Sequence, residues 1–190
     1  MDNIALDFMR GIPGSGKTTW VQENAKGARV ISADHYFTDP ETQVYKWDPR
    51  LLGEAQGQSL RLFIESLMVA VEEGFGHIVV DNTNLKVLDL NPYVALANAY
   101  GFTPRIITIH VDPVIAYNRG KHGVPFSTVQ RMAATMAAEV LPSFWKVKVE
   151  HVGMAHAVLA SQGAGVHRPR FHEAKDPGAV DRKLTYPARI

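Results

Sequence analysis

Gly11-Ile12-Pro13-Gly14-Ser15-Gly16-Lys17-Thr18 fits the pattern G-x-x-x-x-G-K-[ST], and no other stretch constrains the chain as much. An apolar run over residues 4–9 precedes it, and a segment with helical character over 19–26 follows. A strand, a glycine-rich loop and a helix in that order make a phosphate-binding unit. Small residues let the backbone curl so that successive N–H groups point inward, with the positive end of a helix dipole behind them. Pro13, Gly14, Ser15, Gly16, Lys17, Thr18 and Thr19 are therefore the expected nucleotide-binding residues. Lys17 supplies a point charge for the β- and γ-phosphates, and the Thr18 hydroxyl is placed to ligate Mg²⁺. ATP and Mg²⁺ are the expected cofactors.

Beyond this loop, apolar runs alternate with helical stretches. Strands are expected over 4–9, 28–32, 77–81, 104–111 and 145–152. Asp48-Pro49 reads as a helix start, a capping carboxylate followed by proline at the first helical position. That helix runs to about residue 73, and its apolar face is predicted from Leu60, Phe63, Ile64, Leu67, Met68 and Val71. Gly53, Gln56, Gly57 and Gln58 leave its first turns open to two readings, a solvated end or a surface that a substrate approaches. A further helix is expected to restart at Asn91-Pro92 and close at Gly101. Asp112-Pro113 caps a short helix reaching Arg119, and residues 120–125 form a glycine-bearing connector. Ser127-Thr128-Val129-Gln130 matches a capping box opening an alanine-rich helix to about residue 140.

Repeated strand–helix units with β-branched strands predict an α/β fold, a P-loop NTPase domain of three layers around a mostly parallel sheet. Ligands of such sheets bind at the carboxyl ends of the strands. The loop, Asp34, Asp81 and the Asn82-Thr83-Asn84 turn all fall at such ends and should converge on one cleft.

The predicted P-loop domain covers residues 1–150. Residues 151–190, rich in Gly, Pro, Arg and His without a helical or strand period, read as an extended or partly ordered C-terminal arm. Residues 1–150 carry 14 basic and 16 acidic side chains, against 6 and 3 in the arm, so the body is near neutral and the arm mildly basic. The absence of cysteine excludes disulfides and thiolate metal sites. No apolar run reaches the ~18 residues of a membrane span. The N-terminus lacks the basic flank of a secretory signal, so no membrane partner and a cytoplasmic location are expected.

The P-loop specifies only the phosphate donor. Transfer to an alcohol also needs a carboxylate for the hydroxyl proton and cations for the transferred group. Asp34, just past the second strand, is the candidate base, with a helix cap as its ordinary alternative. Asp81 ends an apolar run in Walker-B style and would orient the metal through water or contact the acceptor, with capping of the Asn82-Thr83-Asn84 turn as its ordinary alternative. Arg119, at the head of the connector, has the position of a lid arginine.

Several further matches fall in order along residues 4–140: Arg10 through Trp20, Ser32-Ala33-Asp34-His35-Tyr36-Phe37, Val44-Tyr45, Pro49, Asp81-Asn82-Thr83-Asn84-Leu85, and Asn118-Arg119-Gly120-Lys121-His122-Gly123-Val124. On these the chain resembles the polynucleotide kinase-like P-loop family. That family includes the 5′-hydroxyl kinase domain of phage and animal end-repair enzymes and phage kinases that phosphorylate hydroxymethylated pyrimidines in DNA. The resemblance implies Asp34 as general base, Lys17 and Arg119 as catalytic cations, and Asp81, Thr83 and Asn84 on the acceptor side. It departs at Phe37 and His122, where the phage end-repair enzymes carry arginines. Tyr36, Phe37 and Trp47 are candidates to stack on a base of single-stranded nucleic acid, and His122 to face the substrate. The implied partner is DNA or RNA as substrate, with a polynucleotide 5′-hydroxyl as leading acceptor. The hydroxymethyl group of 5-hydroxymethyluracil in DNA is the alternative, and a small-molecule or nucleoside acceptor a second one.

Overall fold

In the computed structural model, which describes residues 3–153, the apolar runs form β1 (Ile4–Arg10), β2 (Arg29–Ile31), β3 (Gly76–Val80), β4 (Arg105–Ile109) and β5 (Lys148–Val152). They pair in parallel in the order β2-β3-β1-β4-β5. β1 takes the centre, with Phe8 in register with Val80 on one side and Ile106 on the other. Leu6 through Arg10 are all buried, so both faces of this strand are covered, as a parallel sheet demands.

The helices are α1 (Lys17–Asn24), α2 (Asp34–Phe37), α3 (Leu52–Glu73), α4 (Val87–Ala99), α5 (Pro113–Arg119) and α6 (Phe126–Ala138). Successive strand residues point to opposite faces. Leu6 and Phe8 pack against α3 and α4 through Phe63, Leu67, Leu90 and Tyr93, with the Phe8 and Phe63 rings edge to face at 5.6 Å. Met9 points the other way, against Val21 and Ala25 of α1. Three layers result, as the sequence predicts. α5 and α6 sit beside the glycine-rich loop, where Ile12, Leu85, Ala116 and Val129 make a separate small core. Among the described residues no helix is long and apolar enough to cross a membrane. The expected arm over 151–190 lies outside the described residues from 154 onward.

Four local expectations are corrected. The buried stripe of α3 is Ala55, Ser59, Phe63, Ser66, Leu67 and Ala70, whereas Ile64, Met68 and Val71 are each 40% exposed. The helix lies close against β3: a Cβ on Gly76 would stand 3.0 Å from that of Ala70, so small residues face the sheet. α4 starts at Val87 rather than at Pro92, because Asp89 accepts the free N–H of Lys86 at 2.9 Å and caps the turn there. Pro92 sits inside the helix. α6 begins at Phe126, so Ser127 lies within it and makes no cap. The last strand spans only Lys148–Val152, with Trp145 and Val147 packed against the core instead.

Two helix starts hold as read. Asp48 accepts the N–H of Arg50 at 2.9 Å and Asp112 that of Val114 at 2.8 Å, each with proline next. Asp48 opens a 3₁₀ turn over Pro49–Leu51 that leads into α3.

Candidate active site

Gly11–Thr18 curls between β1 and α1 with its turns fixed by the backbone. Gly14 and Gly16 have φ of 75° and 99°, the left-handed region that favours glycine. A Cβ on Gly14 would lie 2.0 Å from the carbonyl oxygen of Ala116, so the loop and α5 touch backbone to backbone. The loop is anchored by Gly11 N–H to the Thr83 carbonyl at 2.9 Å and by Ser15 N–H to the Ile12 carbonyl at 3.1 Å. Behind it the buried Arg10 donates to the carbonyls of Leu85 and Met136, both at 3.0 Å, tying the end of β1 to α6. Gly16 is the residue before α1, so the free N–H groups of that helix open into the loop's concavity.

Lys17 Nζ donates to the carbonyls of Gly11 and Ile12, both at 3.1 Å. Burial pulls its ammonium below the ordinary lysine range, while Asp81 and then Asp34 push it back up. The Thr18 hydroxyl donates to Asp81 Oδ2 at 2.8 Å. Burial holds the Asp81 carboxyl above the usual carboxylate range, against the opposing hydrogen bond from Thr18 and the charge of Lys17. Its other oxygen, Oδ1, is buried without a hydrogen-bond partner. A buried, half-satisfied carboxylate beside a threonine hydroxyl is a donor set suited to a hard divalent cation. Among the described residues no group of three or more metal-ligating His, Asp or Glu side chains gathers. Of the readings open for Asp81, its hydrogen bond from Thr18 is the contact expected of the metal side.

The ends of β2 and β3 are laced together. Ser32 Oγ donates to the Asp81 carbonyl at 2.9 Å, and Asn82 Oδ1 accepts the N–H of Ala33 at 2.8 Å. These bonds hold Asp34, the first residue of α2, at a set position relative to Asp81. Asp34 itself is half exposed; the Tyr45 hydroxyl donates to its Oδ1 at 3.2 Å, and His122 Nε2 lies 3.9 Å from its Oδ2. The connector thus comes over to Asp34 through His122. Arg119, one turn before, is exposed at the end of α5 with no ion pair or hydrogen bond among the described residues. The loop, Asp34, Asp81 and the connector come close to one another at the carboxyl ends of the strands.

Other expected residues lie elsewhere. Phe37 is only 5% exposed, packed with Ala33, Ala55, Tyr45 and Leu51 and 4.6 Å from the Trp47 ring. It has no free face for a base, which corrects the stacking assignment. Tyr36 and Trp47 keep exposed faces, and the Tyr36 hydroxyl donates to Glu54 at 2.8 Å. Asn84 is buried with a φ of 44°, and its amide donates to the Met9 carbonyl at 2.8 Å, so it braces β1 from inside the wall. Thr83 contributes its carbonyl to Gly11 and has a half-buried side chain. Thr19 is exposed on α1.

Two features have no signature in the sequence reading of the site. One is Tyr45, which appears there only inside the Val44-Tyr45 match. The other is a cavity of about 320 Å³ beside the loop, lined by Pro13, Ala116, Asn118, Gly120 and Val124 among others. Their pattern is one of tertiary approach, Pro13 from the loop meeting α5 and the connector.

Residues 6–138 match the family model of an AAA domain. Human (Homo sapiens) NEDD4-binding protein 2 is 29% identical over 139 residues, 68% of this chain, and the chain spans only 7% of that relative's length. Among solved structures, an unliganded sugar kinase from Janibacter sp. HTCC2649 is 20% identical with a TM-score of 0.51, covering 84% of this chain and 91% of its own. A kinase-assigned protein from Chloroflexus aurantiacus is 16% identical with a TM-score of 0.53, covering 84% and 96%. At such identities the likeness is one of fold: a P-loop kinase-like α/β architecture.

Proposed function

The chain belongs to the AAA domain family, and on that premise we propose that it is an ATP-dependent phosphotransferase acting on an alcohol, with a nucleic-acid 5′-hydroxyl as the acceptor. The observation that carries this reading is the placement of two carboxylates about Lys17. Asp81 is buried against Thr18 and Asp34 is half exposed at the cleft, and both act on the same ammonium. One carboxylate suits the metal side and the other is accessible to an incoming hydroxyl.

In the reaction, the acceptor's O–H proton passes to Asp34 Oδ2, the carboxylate oxygen without a hydrogen-bond donor among the described residues. The acceptor oxygen bonds to the γ-phosphorus, and the bond from that phosphorus to the β,γ-bridging oxygen breaks. ADP leaves with the electron pair. The loop's N–H groups, the α1 N-terminus and Lys17 orient the phosphates and oppose their charge. Arg119, exposed at the end of α5 just before the connector, would meet the transferred group. Mg²⁺, when bound, supplies further positive charge to the phosphate oxygens; Thr18 and Asp81 would hold it.

Support for a nucleic-acid acceptor comes from the polynucleotide kinase-like motifs and from Trp47 and Tyr36, which leave aromatic surface exposed beside α2. Base stacking on such faces is tolerant of sequence. A second reading, a kinase of a small soluble alcohol, draws on the near-neutral charge of residues 1–150 and on the fold's likeness to a sugar kinase. Labelled ATP with four acceptors decides between them: a 5′-hydroxyl oligonucleotide, DNA carrying 5-hydroxymethyluracil, free nucleosides and free sugars. Label on the oligonucleotide is expected. Label on a nucleoside or sugar alone would move the acceptor to the second reading, and label on none would end the phosphotransferase reading.

A further inference from the structure

Tyr45 touches both the carboxylate proposed to take the proton and the connector proposed to cover the phosphate. Its hydroxyl donates to Asp34 Oδ1 at 3.2 Å. Its ring lies 4.2 Å from the His122 ring, tilted by 40°. His122 Nε2 in turn stands 3.9 Å from Asp34 Oδ2, beyond hydrogen-bond reach, which leaves that oxygen free. No other described side chain hydrogen-bonds the Asp34 carboxylate.

The segment that presents Tyr45 is well braced. Thr38 and Tyr45 form an antiparallel bridge, Lys46 N–H donates to the Phe37 carbonyl at 2.8 Å, and Asp39 N–H to the Val44 carbonyl at 3.0 Å. The Tyr45 ring also meets the buried Phe37 ring edge to face at 6.2 Å. Burial first, and the Asp34 charge second, push the Tyr45 phenol well above its ordinary range, so it stays protonated and remains a donor.

We infer that Tyr45 is a positioning residue with two jobs, fixing the Asp34 carboxylate by its hydroxyl and seating the connector by its ring. This deepens the proposed function and rests on it. A half-exposed aspartate has several side-chain conformations, and a hydrogen bond to one oxygen selects those that turn Oδ2 outward. A bond to an ionised acceptor is about twice as strong as a neutral one, which suits this task. The ring-on-ring contact with His122 is weaker and reversible. Seating the connector through Tyr45 also constrains Arg119, three residues before His122 at the end of α5, at the same time as the base is set.

The test uses the full chain with ATP and a 5′-hydroxyl oligonucleotide, and compares Tyr45→Phe, Tyr45→Leu, His122→Ala and Asp34→Asn. Tyr45→Phe keeps the seat and loses the hydroxyl; it should lower kcat about tenfold with KM for ATP unchanged. Tyr45→Leu loses both and should fall further, and adding His122→Ala to it should cost nothing more. In NMR spectra the His122 ring protons should be displaced upfield by the Tyr45 ring in wild type and Tyr45→Phe, and return to exposed values in Tyr45→Leu. This second readout needs no acceptor and is indifferent to general loss of activity. If both Tyr45 variants match wild type in kcat while Asp34→Asn is inactive, the positioning role fails and the transfer reading stands. If Asp34→Asn is fully active, the reading beneath it fails. His122 protons that do not shift between wild type and Tyr45→Leu would refute the seat whichever acceptor the protein takes.

Discussion

The glycine-rich loop keeps its shape through main chain, whereas Asp34 is kept in place by side chains drawn from distant parts of the chain. Gly14 meets the Ala116 carbonyl directly and Lys17 folds back on two carbonyls of its own loop. The contacts that shape this side are largely main-chain ones, within the loop and to the carbonyls of Thr83 and Ala116. Asp34 depends instead on Ser32 and Asn82 at two strand ends, Tyr45 on a hairpin and His122 on a connector. A backbone cradle can serve any nucleotide phosphate, while a site assembled from separate segments can be retuned to a new acceptor without disturbing the donor.

The contrast can be broken at its supports. Phe37→Ala has the largest expected effect: about 3–5 kcal/mol of unfolding free energy for emptying a buried aromatic site. Denaturant melts should show that loss, and if instead stability holds while oligonucleotide affinity falls, Phe37 faces the acceptor after all. Lys17→Ala should reduce phosphoryl transfer by roughly 10²–10³-fold, or about 2.7–4 kcal/mol of barrier, as expected for one electrostatic contact to developing charge. Steady-state rates check it, and a fold that survives the change would show the loop to be held by backbone, as described.

Asp81→Asn should act more gently, weakening Mg²⁺ binding in the presence of nucleotide by about 10–100-fold. The pH dependence sharpens the point. Burial raises the Asp81 carboxyl above its unfolded value, so the metal-free native state favours the protonated form. Its penalty on stability is absent below the unfolded value, grows as pH rises toward the folded one and is complete above it. Metal favours the ionised form, so Mg²⁺ affinity should climb with pH through that window in wild type and stay flat in Asp81→Asn. Thermal melts with and without Mg²⁺ between acid and neutral pH measure both trends. The variant's metal-free melting temperature should hold or rise above that window; a fall would show the carboxylate to be stabilising as it stands.

The parallel sheet and the donor loop were legible because their signals are local: β-branched runs, one spaced motif, and Asp-Pro starts at 48–49 and 112–113 that cap as read. Legibility failed where packing or a competing cap decides. Pro92 suggested a helix start, but Asp89 capping Lys86 had already begun the helix one turn and more earlier. Ser127 fits a capping box and lies inside α6, which starts at Phe126. Ile64 and Met68 fit the buried side of α3 by spacing, yet the face turned inward carries Ser59, Ser66 and Ala70, the last close against Gly76 of β3. In the site, Asp34 and Asp81 could be named from strand ends, while Tyr45 could not be assigned a role. Its partners are 11 residues away at Asp34 and far off at His122, and the Val44-Tyr45 match by itself carries no sign of either contact.

The central claim is that the loop and Asp34 form the two sides of one transfer site. The most direct measurement pairs nucleotide binding with transfer in Asp34→Asn. ATP affinity should match wild type, because the loop is self-supporting, while transfer to the 5′-hydroxyl oligonucleotide falls by about 10²–10⁴-fold, the span of a general base. Undiminished transfer, or ATP affinity lost in step with it, would contradict the account.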